Sequence, residues 1–178
     1  MYMTLQQLQD SLPNYAKDIK LNLSSLLNND AVLSEQQLLG TLLATSMASK
    51  NKHLFTAIMK HVEGRVSIEA LNAAKSASAL MAMNNIYYRF THLVSDSEYA
   101  KLPAQLRMNA MMQPEVDKID FELFSLAVSA IHGCGKCLDA HEKVLSKHGI
   151  SREKIQYAVR LASVVHATAV VLAAENIA

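Results

Sequence analysis

Cys134, Cys137 and His141 stand three and four residues apart, and the two cysteines are the only ones in the chain. On a helix this spacing puts all three side chains on one face. Two thiols one turn apart can close a disulfide at modest strain. An imidazole one turn further on can take and return protons. The chemistry such a set supports is dithiol–disulfide exchange. An apolar helical run from Phe121 to Ile131 ends near Gly133, and a new helix starts at the first cysteine. Cys134 then lies at a helix N-terminus, where free N–H groups stabilise a thiolate. The spacing predicts a reversible Cys134–Cys137 disulfide.

Other readings compete for these residues. The cysteines could be inert core thiols. With His141 they could be three zinc ligands, but structural zinc sites take four, and no second Cys/His pair offers the fourth. Haem attachment needs a histidine directly after the second cysteine, where this chain has Leu138. A thioredoxin-like fold needs strands that the sequence does not offer. The redox reading best accounts for the flanking glycines and for His141, and it requires no bound cofactor and no metal.

The neighbours of the motif are more ambiguous. Glu122 precedes Cys134 by twelve residues on a helix otherwise made of Leu123, Phe124, Leu126, Ala127 and Val128. It is either an exposed helix-start residue or an acid turned into the site, and the residues alone favour exposure. His132 reads as a partly exposed end-of-helix residue. Lys136 reads as solvated, with a charge that favours a neighbouring thiolate. His166 reads as a core histidine. Met81, Met83, Met108, Met111 and Met112 read as core filler.

The elements that position this motif are helical. The chain has 178 residues, enough for one domain, and 51% of them are hydrophobic while only 6% are aromatic. Five Gly and three Pro leave little turn chemistry for a many-stranded fold. A net charge of +1 with no basic stripe argues against nucleic-acid binding. No signal-peptide pattern opens the chain, and the apolar stretch from Leu161 to Ala174 reads as too short and too polar for a bilayer. These features point to a cytoplasmic location, away from any membrane.

Leu5, Leu8, Leu12, Tyr15 and Ile19 trace one apolar helical face, divided by Pro13, and residues 28–30 form a loop. Ser34 with Gln37 has the form of a capping box opening a helix to about Ser49. A helix over 51–63 ends at Gly64, and Ser67 opens another running to about Phe90. A short helix is expected over Pro103–Met112. Val66 to Ala74 aligns with Ile150 to Ala158, which suggests a single domain over 1–178 with repeat halves near 34–90 and 119–175. With nearly the same offset Gln37 to Ser49 falls on Glu122 to Cys134, so Ser49 stands where Cys134 stands and only the second half carries chemistry.

The run Phe121-Glu122-Leu123, then Ala127 to Ile131, then Gly133-Cys134-x-x-Cys137-Leu138-x-Ala140-His141-Glu142, resembles the AhpD-like family of alkyl hydroperoxide reductases, within the carboxymuconolactone decarboxylase-like superfamily. The likeness extends to Leu12–Leu23, to Gly40–Ala44 and to the segment Met83-Asn84-Asn85-x-Tyr87-Tyr88-Arg89. The resemblance implies an all-α fold with an internal repeat, a homotrimer and a weak peroxidase activity. It also implies electrons drawn from dihydrolipoyl groups on a dihydrolipoamide acyltransferase, kept reduced by dihydrolipoamide dehydrogenase and NADH, and passed to an AhpC-like peroxiredoxin.

Glu122, Cys134, Cys137 and His141 match four of the family's five catalytic positions. The fifth, a histidine directly before the second cysteine, is Lys136 here, and His132 is the substitute on the other side of the motif. The resemblance implies that Cys137 meets the hydroperoxide and Cys134 resolves the product. Helix-terminus physics instead favours Cys134 as the more acidic thiol. A decarboxylase-like enzyme of the same superfamily and a non-enzymatic zinc module are the alternative functions.

Overall fold

A computed structural model describes residues 3–29 and 31–177, so Asp30 of the expected loop lies outside it. The described residues form nine α-helices and two short 3-10 turns, with no strand. Helices α1 (Leu5–Asp10) and α2 (Lys17–Leu27) are separated at Pro13, as the sequence predicts. The 3-10 turn between them carries Tyr15 outward, 68% exposed, and not onto the expected apolar face.

The Ser34 capping box forms. The Ser34 hydroxyl accepts from the Gln37 N–H at 3.2 Å, and the Gln37 side chain accepts from the Ser34 N–H at 3.3 Å. It opens α3 (Glu35–Ala48), followed by α4 (Lys52–Val62) and the long α5 (Ile68–Leu93). The helix expected over Pro103–Met112 is only its last turn, α6 (Asn109–Met112). Gln105 adopts φ 51, a left-handed conformation that a right-handed helix cannot contain. Then come α7 (Lys118–His132), α8 (Gly135–Lys147) and α9 (Arg152–Ala174).

Helix α7 is the axis of the fold, packed against α3, α5, α8 and α9. Every residue from Asp120 to Ser129 is buried. Gly40 of α3 lets the two helices approach closely, because a Cβ there would stand 2.2 Å from the tip of the Phe124 ring. Side-chain amides of Gln36 and Gln37 donate to the Asp120 carboxylate at 2.7 and 2.9 Å, fixing the first turn of α7 on α3. Full burial of Leu42, Leu43, Phe124 and Leu161 contributes about 1.5–3 kcal/mol per side chain.

Helix α9 is longer than its most apolar stretch. With 23 residues it is long and apolar enough to cross a membrane, contrary to the reading of Leu161–Ala174 alone. Here it packs as a core helix on α2, α3 and α7, and the Tyr157 hydroxyl donates to the Leu26 carbonyl at 2.6 Å. His166 lies on its exposed side and is not a core residue.

Candidate active site

The end of α7 and the start of α8 form one continuous turn. Gly133 takes φ 67, which a residue without a Cβ adopts at little cost. The Cys134 N–H reaches back to the Ser129 carbonyl at 3.2 Å, closing the helix end. Cys134 is extended (φ −93, ψ 92) and is the N-cap of α8. Its Sγ accepts from the Cys137 N–H at 3.3 Å, a role usually taken by an oxygen. The expected disulfide joins Cys134 to Cys137, with their Cα atoms 5.3 Å apart. Both cysteines are buried.

One turn beyond Cys137, His141 is buried, and its Nδ1 lies 2.6 Å from Oε2 of Glu122. Glu122 is therefore not the exposed helix-start residue its neighbours suggest. The helix begins at Lys118, which moves Glu122 into the second turn, where it meets α8. A proton shared by this pair can sit on Nδ1 or on Oε2, beside the thiol chemistry and away from bulk water. The other ring nitrogen, Nε2, faces the Met81 sulfur at 3.3 Å.

A cavity of about 490 Å³ opens onto Cys137 and His141. Met81, Asn84 and Tyr88 of α5 form one wall. Leu106, Met108, Met111 and Met112 form the other. Cys134 does not line it. Of the methionines read as core filler, Met111 packs against the core while also lining this open wall, Met108 is half-buried, and Met112 is 76% exposed. Sequence reasoning missed this wall and missed Asn84, because spacing along one helix says nothing about partners 25 or more residues away.

Lys136 lines the cavity mouth, exposed, with its ammonium 5.5 Å from the centre of the Tyr88 ring. His132 faces elsewhere. It lines a second cavity with Lys50 and Arg89, and its Nδ1 lies 2.9 Å from Oδ1 of Asn85. Burial pushes the His132 imidazole below its ordinary value. A backbone hydrogen bond with Met81 opposes this, and the charges of Lys50, Arg89 and His166 reinforce it. Among the described residues no group of three or more His, Cys, Asp or Glu side chains is placed to hold a metal ion.

A helical chain with a Cys-x-x-Cys disulfide beside a buried Glu–His pair defines a class of thiol proteins. Residues 97–178, which hold both cysteines, Glu122 and His141, match the Carboxymuconolactone decarboxylase family. The chain is also similar to proteins named alkyl hydroperoxide reductase AhpD. It is 56% identical over 173 residues to the one from Hyphomonas neptunium, covering 97% of this chain and 96% of that one. It is 55% identical to that of Maricaulis maris, covering 98% of this chain and all of the relative. It is 53% identical to that of Streptomyces coelicolor, covering 98% of each. The chain belongs to the AhpD family of alkyl hydroperoxide reductases.

Proposed function

We propose that the protein reduces organic hydroperoxides with the Cys134–Cys137 dithiol, taking electrons from dihydrolipoyl groups and passing them to an AhpC-like peroxiredoxin. The observation that carries this reading is the buried Glu122–His141 pair next to Cys137 in an apolar cavity. The Cys137 thiolate attacks the terminal peroxide oxygen and the O–O bond breaks. Cys137 becomes a sulfenic acid. The departing alkoxide takes a proton from the Glu122–His141 pair and leaves as an alcohol. Cys134 then gives its thiol proton to the pair and attacks the sulfenic sulfur, and the displaced hydroxide takes that proton and leaves as water as the disulfide forms. A dihydrolipoyl group returns two electrons by thiol–disulfide exchange.

Access supports Cys137 as the attacking thiol, since it lines the cavity and Cys134 does not. The Lys136 ammonium at the mouth favours the thiolate form of its neighbour. The reductant is a lipoyl-bearing acyltransferase recharged by dihydrolipoamide dehydrogenase and NADH, in the cytoplasm.

A coupled assay supplies lipoamide, dihydrolipoamide dehydrogenase, NADH and a hydroperoxide, with and without a peroxiredoxin. NADH consumption that needs this protein and rises with peroxiredoxin is the expected result, and no consumption in either arm refutes the reading. The working form is a homotrimer. Its support is not α9, whose core-facing half packs inside the chain, but an apolar stripe on α5: Ile86, Phe90 and Leu93 are 66%, 47% and 72% exposed. Sedimentation showing only monomer at micromolar concentration counts against it.

A further inference from the structure

Asn84 and Asn85 are adjacent and both buried, yet the fold treats them differently. Asn85 is used at both ends. Its amide donates to the Ser129 hydroxyl at 2.9 Å, and its carbonyl oxygen lies 2.9 Å from Nδ1 of His132. It ties α5 to the end of α7. Asn84 has only a soft contact, its amide 3.4 Å from the Met111 sulfur, and its carbonyl oxygen has no partner. Buried polar atoms are satisfied in nearly all cases, so an orphan acceptor just behind the surface of a cavity-lining residue points to a ligand that supplies the donor. Asn84 lines the same cavity as Cys137 and His141.

The chemistry of the cavity narrows that donor. Its walls are mostly thioether and aliphatic. His141 is already engaged by Glu122 and Met81. An organic hydroperoxide brings an apolar body and a single donor, the terminal O–H. We propose that Asn84 is a substrate-positioning residue whose carboxamide oxygen accepts a hydrogen bond from that O–H and holds the terminal oxygen for attack by Cys137. The inference rests on the hydroperoxide reductase reading above. The bonds made and broken are those already given. The hydrogen on the terminal oxygen stays with it and becomes the sulfenic acid hydrogen, so Asn84 keeps its partner until Cys134 displaces the oxygen as water.

The test compares two oxidants of the reduced protein. tert-Butyl hydroperoxide carries the O–H donor. Dithiodipyridine reports the same thiols without one. Asn84→Leu is expected to slow thiol oxidation by the hydroperoxide about tenfold, the scale of one hydrogen bond. The dithiodipyridine rate is expected to stay within about twofold of wild type, as for an ordinary neutral substitution. Equal slowing with both oxidants would make Asn84 a residue that shapes the thiols, and no slowing with either would leave it without a role. Either result overturns the proposal. If Asn84→Leu does not fold by circular dichroism, Asn84→Ala is read by the same ratio. If neither folds, Asn84 is a packing residue and the proposal fails. Wild-type protein that reacts with dithiodipyridine but not with hydroperoxide refutes the reductase reading itself, a separate result.

Discussion

Two helix breaks in this molecule are built alike and used differently. Between α3 and α4 the chain turns at Lys50, φ 57, and Asn51 caps α4. Between α7 and α8 it turns at Gly133, φ 67, and Cys134 caps α8. Each cap atom accepts the N–H three residues on: Asn51 Oδ1 from Leu54 at 3.0 Å, Cys134 Sγ from Cys137 at 3.3 Å. The Asn51 amide also donates to the Ala169 carbonyl of α9 at 3.2 Å. By role, then, the counterpart of Cys134 is Asn51, two residues past the Ser49 that sequence alignment suggests. The first break is optimised for holding helices together. The second gives up a good oxygen cap for a sulfur that can change oxidation state.

The most direct way to break the contrast is to make the second break like the first. Cys134→Asn should abolish catalytic turnover in the coupled assay, because Cys137 loses its resolving partner. Its thermal midpoint under reducing conditions should match or exceed that of the wild type, since Asn is a stronger cap than a thiol. Loss of folding in that variant would mean that the sulfur does more than cap.

Glu122→Gln probes what else the second break has. It should slow turnover by about 100-fold, the lower end of general acid–base help, with fold and sedimentation unchanged. A change of under about twofold would return Glu122 to the rank of a surface substitution. At the first break, Asn51→Ala should cost about 1 kcal/mol in chemical denaturation and leave the coupled rate untouched.

The smallest expected effect concerns His132, directly before Gly133. Its folded value lies below the ordinary 6.5, so the folded state favours the neutral ring. That contribution to stability is complete above about pH 6.5 and is lost as pH falls through the folded value. Melting curves should show a slightly shallower acid decline for His132→Gln than for wild type. An identical decline would show that the ring titrates alike in both states.

The second break was legible in the sequence because its residues are local. Cys134, Cys137 and His141 fall within two turns, and Gly133 marks the boundary. The Ser34 and Ser67 caps were legible for the same reason. Glu122 was not legible from its neighbours, since a helix buried along ten consecutive residues offers no polar face to place it on. The cavity wall was hidden as well. Met108, Met111 and Met112 reach the site through an irregular segment whose course depends on Gln105, and no periodicity announces a left-handed residue.

The sulfur cap links oxidation state to the order of a helix end. The N–H of Cys137 is held by the atom that gains or loses a covalent bond in each cycle. Linkage works in both directions. Heat or denaturant that frays the first turn of α8 must also move the thiol–disulfide equilibrium. The midpoint potential of the pair therefore acts as a thermometer for that turn. A substitution anywhere that loosens α8 can retune the electron affinity of the site without touching either cysteine.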